Sequence, residues 1–394
     1  MKRWILQLAR VFSREFSLVF HSPGTMIFFF VLPIAYPIVY ALIYNPEVTR
    51  DMPVAVVDNC RTAESREFVR HADATQAMEI CGYASDMEEA RRWWAEKKCY
   101  AVIEIPADYS ERVMRGEQGV IEFYSDASLL LRYRTFLESL TELQMATDAD
   151  LRNLAINTLG ANGLASQSSA VGTEAYFLGD PQQGFASFII PGIVVLILQQ
   201  SLLLGVMFLG GASNERRRLY GGVDPLQVND ASPSAEIIGK TLCYTAIYMP
   251  LTVYILHYVL HMFSFPHIGE MADYFLFILP MLLATCMLGL SCRFMVHEKE
   301  SAFVIVVFTS VAFLFLSGLT WPRYAMQPLW TLLGDLIPAT WGLDGFIRIN
   351  NNGGTLAQQT TPYLWMWGLT LLYGITAYLQ ARYTATYRRR VRTA

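Results

Sequence analysis

The chain has 394 residues, 53% of them hydrophobic and only 16% charged, with a formal charge of −4. A soluble domain carries about 25% charged residues, so this apolar surplus excludes a single water-soluble core. The acidic balance excludes the basic face that nucleic-acid binding requires, so nucleic acid is not a partner.

In residues 1–22, Arg3, Gln7, Arg10, Arg14, Ser17 and His21 recur at alternating steps of four and three. Ile5, Leu8, Phe12, Phe16 and Val19 fall on the other side, the pattern of an amphipathic helix lying in a membrane interface. Pro23 and Gly24 end it. Residues 23–44 then hold the first of six windows free of Asp, Glu, Lys and Arg: 25–44, 185–210, 241–263, 274–292, 302–319 and 363–381. About 20 apolar residues cross the hydrocarbon of a bilayer as a helix. Long, continuous runs of Leu, Ile, Val and Phe do not fit the alternation of a membrane β-barrel. The expected fold is therefore an α-helical integral membrane protein with six transmembrane helices and an α/β domain inserted between the first and second.

Orientation follows from the loops. Lys2, Arg3, Arg10 and Arg14, then Arg216, Arg217, Arg218 and Lys240, then Arg293 and Lys299, and finally Arg382, Arg388, Arg389, Arg390 and Arg392 fall on one side. The other side's short connections hold only Arg323 and Arg348. Positive loops stay in the cytoplasm, which places both termini there and residues 45–184 outside. That insertion carries 23 acidic against 13 basic residues, a surplus that favours cationic surfaces. Strands are expected at 54–57, ending in Asp58, and at 78–80, 100–105 and 120–124, and helices at 64–71 and 86–98, the latter capped by Asp86. A long helix is expected over 128–159, with Phe136, Leu140, Leu143, Leu151 and Leu154 among its apolar positions, and a loop over 160–172. In an oxidising compartment two of Cys60, Cys81 and Cys99 pair, with the connectivity open.

Residues 185–394 carry spans two to six, a cytoplasmic connection at 211–240, a broken outer segment at 320–360 and a basic C-terminal tail. Ile238-Gly239-Lys240-Thr241 ends like a phosphate-binding loop, but Ser234 stands where the first glycine is needed, so the motif fails. No catalytic triad or paired-cysteine metal motif occurs. His257, His261 and His267 offer a metal or proton-relay site, or simply interfacial histidines. Gln199 and Gln200 place amides midway along the second span, either for helix packing or lining a path. With no ionisable group inside the windows, energy is expected from another subunit.

Three passages carry a resemblance. They are 52–58 (Met-Pro-Val-Ala-Val-Val-Asp) with 101–106 (Ala-Val-Ile-Glu-Ile-Pro), then 188–192 (Phe-Ile-Ile-Pro-Gly), and most specifically 315–322 (Phe-Leu-Ser-Gly-Leu-Thr-Trp-Pro), continuing through Met326, Pro328 and Leu329 to Ile337-Pro338. The layout resembles the membrane subunits of type-2 ABC exporters, in particular bacterial multidrug-type permeases with a large extracytoplasmic insertion. The resemblance implies a re-entrant segment after the fifth span, loosened at Ser317 and Gly318 and broken at Pro322 and Pro338. It also implies a short helix within 214–240 that seats in an ATPase, with Glu215, Arg216, Arg217 and Arg218 as coupling residues. After Glu215-Arg216-Arg217, where relatives often run on toward Gly-Thr, this chain has Arg218-Leu219-Tyr220-Gly221-Gly222.

The function implied is outward movement of an amphiphilic or drug-like compound by a permease in the bacterial inner membrane. The chain itself holds no cofactor and no catalytic site, ATP and Mg belonging to a partner ATPase. A second permease copy or paralogue, a periplasmic adaptor with its outer-membrane channel, and the lipid bilayer are the remaining implied partners. The competing reading is an ATP-independent membrane receptor or scaffold whose outer domain binds a ligand or protein.

Overall fold

The computed structural model describes residues 2–44, 50–115, 117, 119–125, 130–159, 184–228 and 231–393. The chain divides into two compact units, Met1–Asn45 with Phe177–Ala394, and Pro46–Tyr176.

The first unit begins with α1 (Lys2–His21). Its buried stripe is Val11, Glu15 and Val19, while Ile5 and Phe16 of the apolar side are 56% and 44% exposed. The spacing of apolar residues alone could not show that Glu15 has partners beneath it. Trp4, Ile5, Leu6, Phe16 and Phe20 stay exposed, as suits a helix resting on lipid. Pro23 then opens α2 (Pro23–Tyr44), which contains a π-helical stretch at Ile27–Val31.

The second unit is a four-stranded sheet with helices. In chain order it runs β1 (Met52–Asp58), α3 (Ala63–Asp73), β2 (Met78–Tyr83), α4 (Met87–Ala95), β3 (Ala101–Ile105), α5 (Tyr109–Met114), β4 (Glu122–Ser125) and α6 (Leu130–Leu159). The order across the sheet is β2-β1-β3-β4, with β1 parallel to both β2 and β3, and β4 antiparallel. Thr62 and Ser65 form a reciprocal cap on α3, and Asp86 accepts from the Glu89 N–H to cap α4. Alternate residues of β1 feed two cores. Val54 and Val56 pack with Phe68, Ile103, Ile105, Phe136 and Leu143, and Ala55 and Val57 pack with Ala90, Cys99 and Val102. Such double coverage defines an α/β domain. The fourth strand begins two residues later than expected, and α5 was not anticipated from sequence. Cys60, Cys81 and Cys99 are all free thiols, with Cys99 buried and Cys81 exposed. The loop expected at 160–172, and the side chains of Leu151 and Leu154, lie outside the described residues.

The remainder of the first unit comprises α7 (Phe185–Leu219), α8 (Pro233–Met262), α9 (Met271–Cys292), α10 (Lys299–Leu316), α11 (Pro328–Asp335), α12 (Pro338–Asn350) and α13 (Thr360–Thr393). Among the described residues, five helices are long and apolar enough to span a bilayer: α2, α7, α8, α9 extended to Met295, and α10. The sixth expected window, 363–381, lies inside α13. Helix α7 is the central post and is buried nearly all round, whereas α10 buries only Ala302 and Val306. The interior is close-packed around α7. A Cβ on Gly205 would lie 1.8 Å from the ring of Phe29, which is itself fully buried and edge-on to Tyr244 and Tyr248. We therefore expect Gly205→Ala to destabilise the helical unit by about 1–3 kcal/mol through overpacking, read as a lowered unfolding temperature in detergent.

Candidate functional site

The connection expected at 211–240 is shorter than its sequence suggested, because α7 runs on to Leu219 and α8 begins at Pro233. No separate short helix lies between them among the described residues. Glu215, Arg216, Arg217 and Arg218 are instead the last turns of α7, where basic residues complement the partial negative charge of a helix C-terminus.

Three of these four are committed to the fold. Arg216 grips Asp224 in a two-pronged ion pair at 2.9 and 3.1 Å, and Ser213 donates to the same carboxylate at 2.7 Å. Asp224 is 2% exposed. Burial alone raises its pKa, but the hydrogen bonds from Arg216, Ser213 and the Leu226 N–H outweigh it and hold the carboxyl below its usual range. Arg217 donates to Gln227, which in turn donates to Glu236. Arg218 reaches Glu298 at 2.9 Å and the His297 carbonyl at 3.1 Å.

Beneath this layer lies a buried charge network that spacing did not reveal. Lys240 is paired with Glu15 of α1 at 3.0 Å and lies 3.9 Å from Glu236. Glu236 also pairs with Arg293 at 3.1 Å, and Tyr244 donates to Glu15 at 2.7 Å. Three carboxylates, Glu15, Asp224 and Glu236, thus face three bases, Arg216, Lys240 and Arg293, so the cluster is neutral within a poorly hydrated region. Trp4 donates to Ser234, Arg14 to the Leu226 carbonyl and the Ser232 N–H to Gln7, stitching α1 along the connection. The Gly-Lys-Thr run therefore has a structural explanation: Gly239 lets α1 approach, since a Cβ there would lie 3.0 Å from Val11, and Lys240 closes the ion pair.

Glu215 differs from its neighbours. It makes no ion pair or side-chain hydrogen bond among the described residues, and it lines a cavity of about 470 Å³ with Gly24, Phe208, Ala212, Leu219 and Lys299.

At the broken segment, Ser317 caps α10 by donating to the Leu314 carbonyl at 2.8 Å, and Gly318 follows at φ +91°, a conformation that needs glycine. These two residues end α10 three residues before the expected limit of the span. Pro322 precedes a 3₁₀ turn at Arg323–Ala325, and Pro328 and Pro338 open α11 and α12 at their first positions. Gln199 of α7, fully buried, accepts from the Ala339 N–H and so receives the start of α12. Its amide nitrogen, both amide atoms of Gln200 and the Thr340 hydroxyl have no hydrogen-bond partner among the described residues. Gln199 and Pro338 are thus brought together, while Ser317, Gly318 and Pro322 form a separate break. Among the described residues no group of three or more His, Cys, Asp or Glu side chains is arranged to hold a metal ion.

A bundle of apolar helices of spanning length, with its buried charge gathered beside one interhelical connection, is the architecture of a multi-pass membrane protein. Residues 23–379 match the family model described as ABC-2 family transporter protein. The chain belongs to that family and is an ABC transporter permease, a transport subunit of the membrane. A comparison with curated proteins finds no match.

Breaking a buried ion pair costs about 3–5 kcal/mol, whereas replacing both partners by apolar groups is often close to neutral. Glu15→Leu or Lys240→Met alone is therefore expected to lower the unfolding temperature sharply, and the double variant to recover most of the loss.

Proposed function

We propose that this permease forms the membrane half of an exporter that moves an amphiphilic or drug-like compound outward, driven by ATP hydrolysed in a separate subunit. Glu215 carries the reading. It is the one residue of the four-residue run left unpaired among the described residues, and it opens on a cavity at the end of α7 that Arg216, already committed to Asp224, also lines. A free carboxylate in a half-open cavity is suited to receive a cationic group of the ATPase. A lipid-anchor role fits it poorly, because anionic headgroups repel it. For such a contact to drive transport, it must differ between the nucleotide states of the partner.

In this reading α13 supplies the sixth span, both termini are cytoplasmic in a bacterial inner membrane, and residues 45–184 face the periplasm, where their acidic surplus suits an adaptor leading to an outer-membrane channel. A second permease copy or paralogue completes the path, with Gln199, Gln200 and the break at Ser317, Gly318 and Pro322 beside it.

The four coupling residues separate into two classes on test. Glu215→Ala is expected to leave the unfolding temperature unchanged and to lower transport per ATP by about tenfold, within the range of typical coupling energies. Arg216→Ala is expected to destabilise the protein by stranding Asp224. Normal stimulated ATPase activity and efflux in Glu215→Ala would return the run to a lipid-anchor role, whereas purification of a stable protein indifferent to any ATPase would favour the receptor or scaffold. Topology is checked independently in a cysteine-free background. Glu117→Cys is expected to react with an impermeant thiol reagent in spheroplasts, and Arg218→Cys only after permeabilisation.

A further inference from the structure

Two imidazoles and a phenol meet at the end of α8 opposite the charge network. His257 lies in a π-helical stretch, Tyr254–Val259, of the kind often kept for function. His267 lies in the loop at 263–270, Tyr274 in the first turns of α9, and Asn350 at the last position of α12. His257 Nδ1 is 3.0 Å from His267 Nε2 and 3.0 Å from the Tyr274 hydroxyl, which is 3.4 Å from His267 Nε2. His267 Nδ1 is hydrogen-bonded to Asn350 Oδ1.

The protons in this cluster can be placed by elimination. Asn350 Nδ2 donates to the Pro266 carbonyl and to Asn351 Oδ1, each at 2.8 Å, so its Oδ1 is the atom facing His267. His267 Nδ1 must therefore carry a hydrogen, and the neutral ring presents a lone pair at Nε2. His257 Nδ1 is then the donor, and its own Nε2 is free to take a proton. One proton added at His257 Nε2 leaves every hydrogen bond intact. A second has no such place: it puts N–H groups on both facing nitrogens, 3.0 Å apart, and two positive charges in one half-buried site.

Among the described residues no ion pair compensates that charge. The titratable groups facing His267 are His257, His261, whose ring stacks on His257 at 6.3 Å, and Tyr274. Glu270 and Asp273 at the start of α9 make no hydrogen bond or ion pair with either ring, and Arg348 of α12 is paired with Asp344 at 2.9 Å. Burial holds His267 below the usual histidine range, His257 and His261 push the same way, and the Asn350 bond opposes them.

The contact also has mechanical reach. Ile268 and Gly269 N–H groups donate to the Asn350 carbonyl at 2.8 and 3.1 Å, so the loop and the end of α12 form one piece. The loop leaves α8 through Phe263, Ser264 and Phe265, whose N–H groups donate to the Val259, His261 and Leu260 carbonyls, and returns to it at the His257–His267 hydrogen bond, while the start of α12 is received by Gln199. We propose that His257 and His267 form a binding site for a single proton, and that a second proton parts residues 266–270 and the end of α12 from His257 of α8.

The test uses the full chain in lipid nanodiscs, with the titration of each histidine followed by hydrogen exchange at the ring carbon and loop mobility by backbone amide exchange. His257 and His267 are expected to titrate in two steps at least about tenfold apart in proton activity, the lower step below the exposed His297, with amide exchange in 266–270 rising across it. In His257→Asn, whose amide nitrogen takes the place of Nδ1 and still donates but cannot titrate, His267 is expected to titrate in one step closer to His297, with the loop protected at pH values where the native loop opens. His257→Leu is expected to loosen the loop at every pH. If the native pair titrates together at the His297 midpoint, or loop exchange ignores pH, the proposal fails, whatever the stability of the variants.

Discussion

A charge held close to hydrocarbon must find its opposite, and the organisation of this helical unit follows from that requirement. Removing an ion from water costs several kcal/mol even after relaxation, so Glu15, Asp224, Glu236, Arg216, Lys240 and Arg293 are tolerable only as a balanced set. Satisfying them draws α1, the end of α7, the start of α8 and the end of α9 to one place. The interfacial helix is thereby fastened to the core by charge as well as by its apolar side chains.

The same economy explains the broken segment. Helix ends packed in an apolar interior expose N–H and C=O groups that must find partners. Ser317 takes up a carbonyl at the end of α10, and Gln199 takes up an N–H at the separate start of α12. The buried amides are thus part of the architecture of α12, and the orphaned atoms of Gln199, Gln200 and Thr340 remain as polar points in an otherwise apolar interior.

Much of this was legible in the sequence because membrane physics writes large signals. Five of the six charge-free windows fall on helices of spanning length, and the α/β pattern of the insertion follows the alternation of β1 and β3 and the Asp86 cap. What stayed hidden depends on partners distant in sequence. Glu15 interrupts an amphipathic pattern without advertising Lys240. Gly239 and Lys240 mimic a nucleotide motif while serving helix packing and an ion pair. Arg216, Arg217 and Arg218 look alike in a row, and only the positions of Asp224, Gln227 and Glu298 distinguish them from Glu215. One available signal went unused: a lone acid inside an otherwise basic amphipathic helix asks for a buried base.

The fastening of α1 also has a history within each round of synthesis. Glu15 and Tyr244 are 229 residues apart in the chain, so at about 5–20 residues per second the helix waits roughly 10–50 s for its partner to be made. Throughout that interval Glu15 has no buried base to meet and must remain hydrated, which an interfacial helix permits and a spanning one would not. The exposed Trp4, Ile5, Leu6, Phe16 and Phe20 give α1 an apolar side of the kind a lipid surface covers. The first helix made therefore cannot be locked until Lys240 and Tyr244 have followed it out.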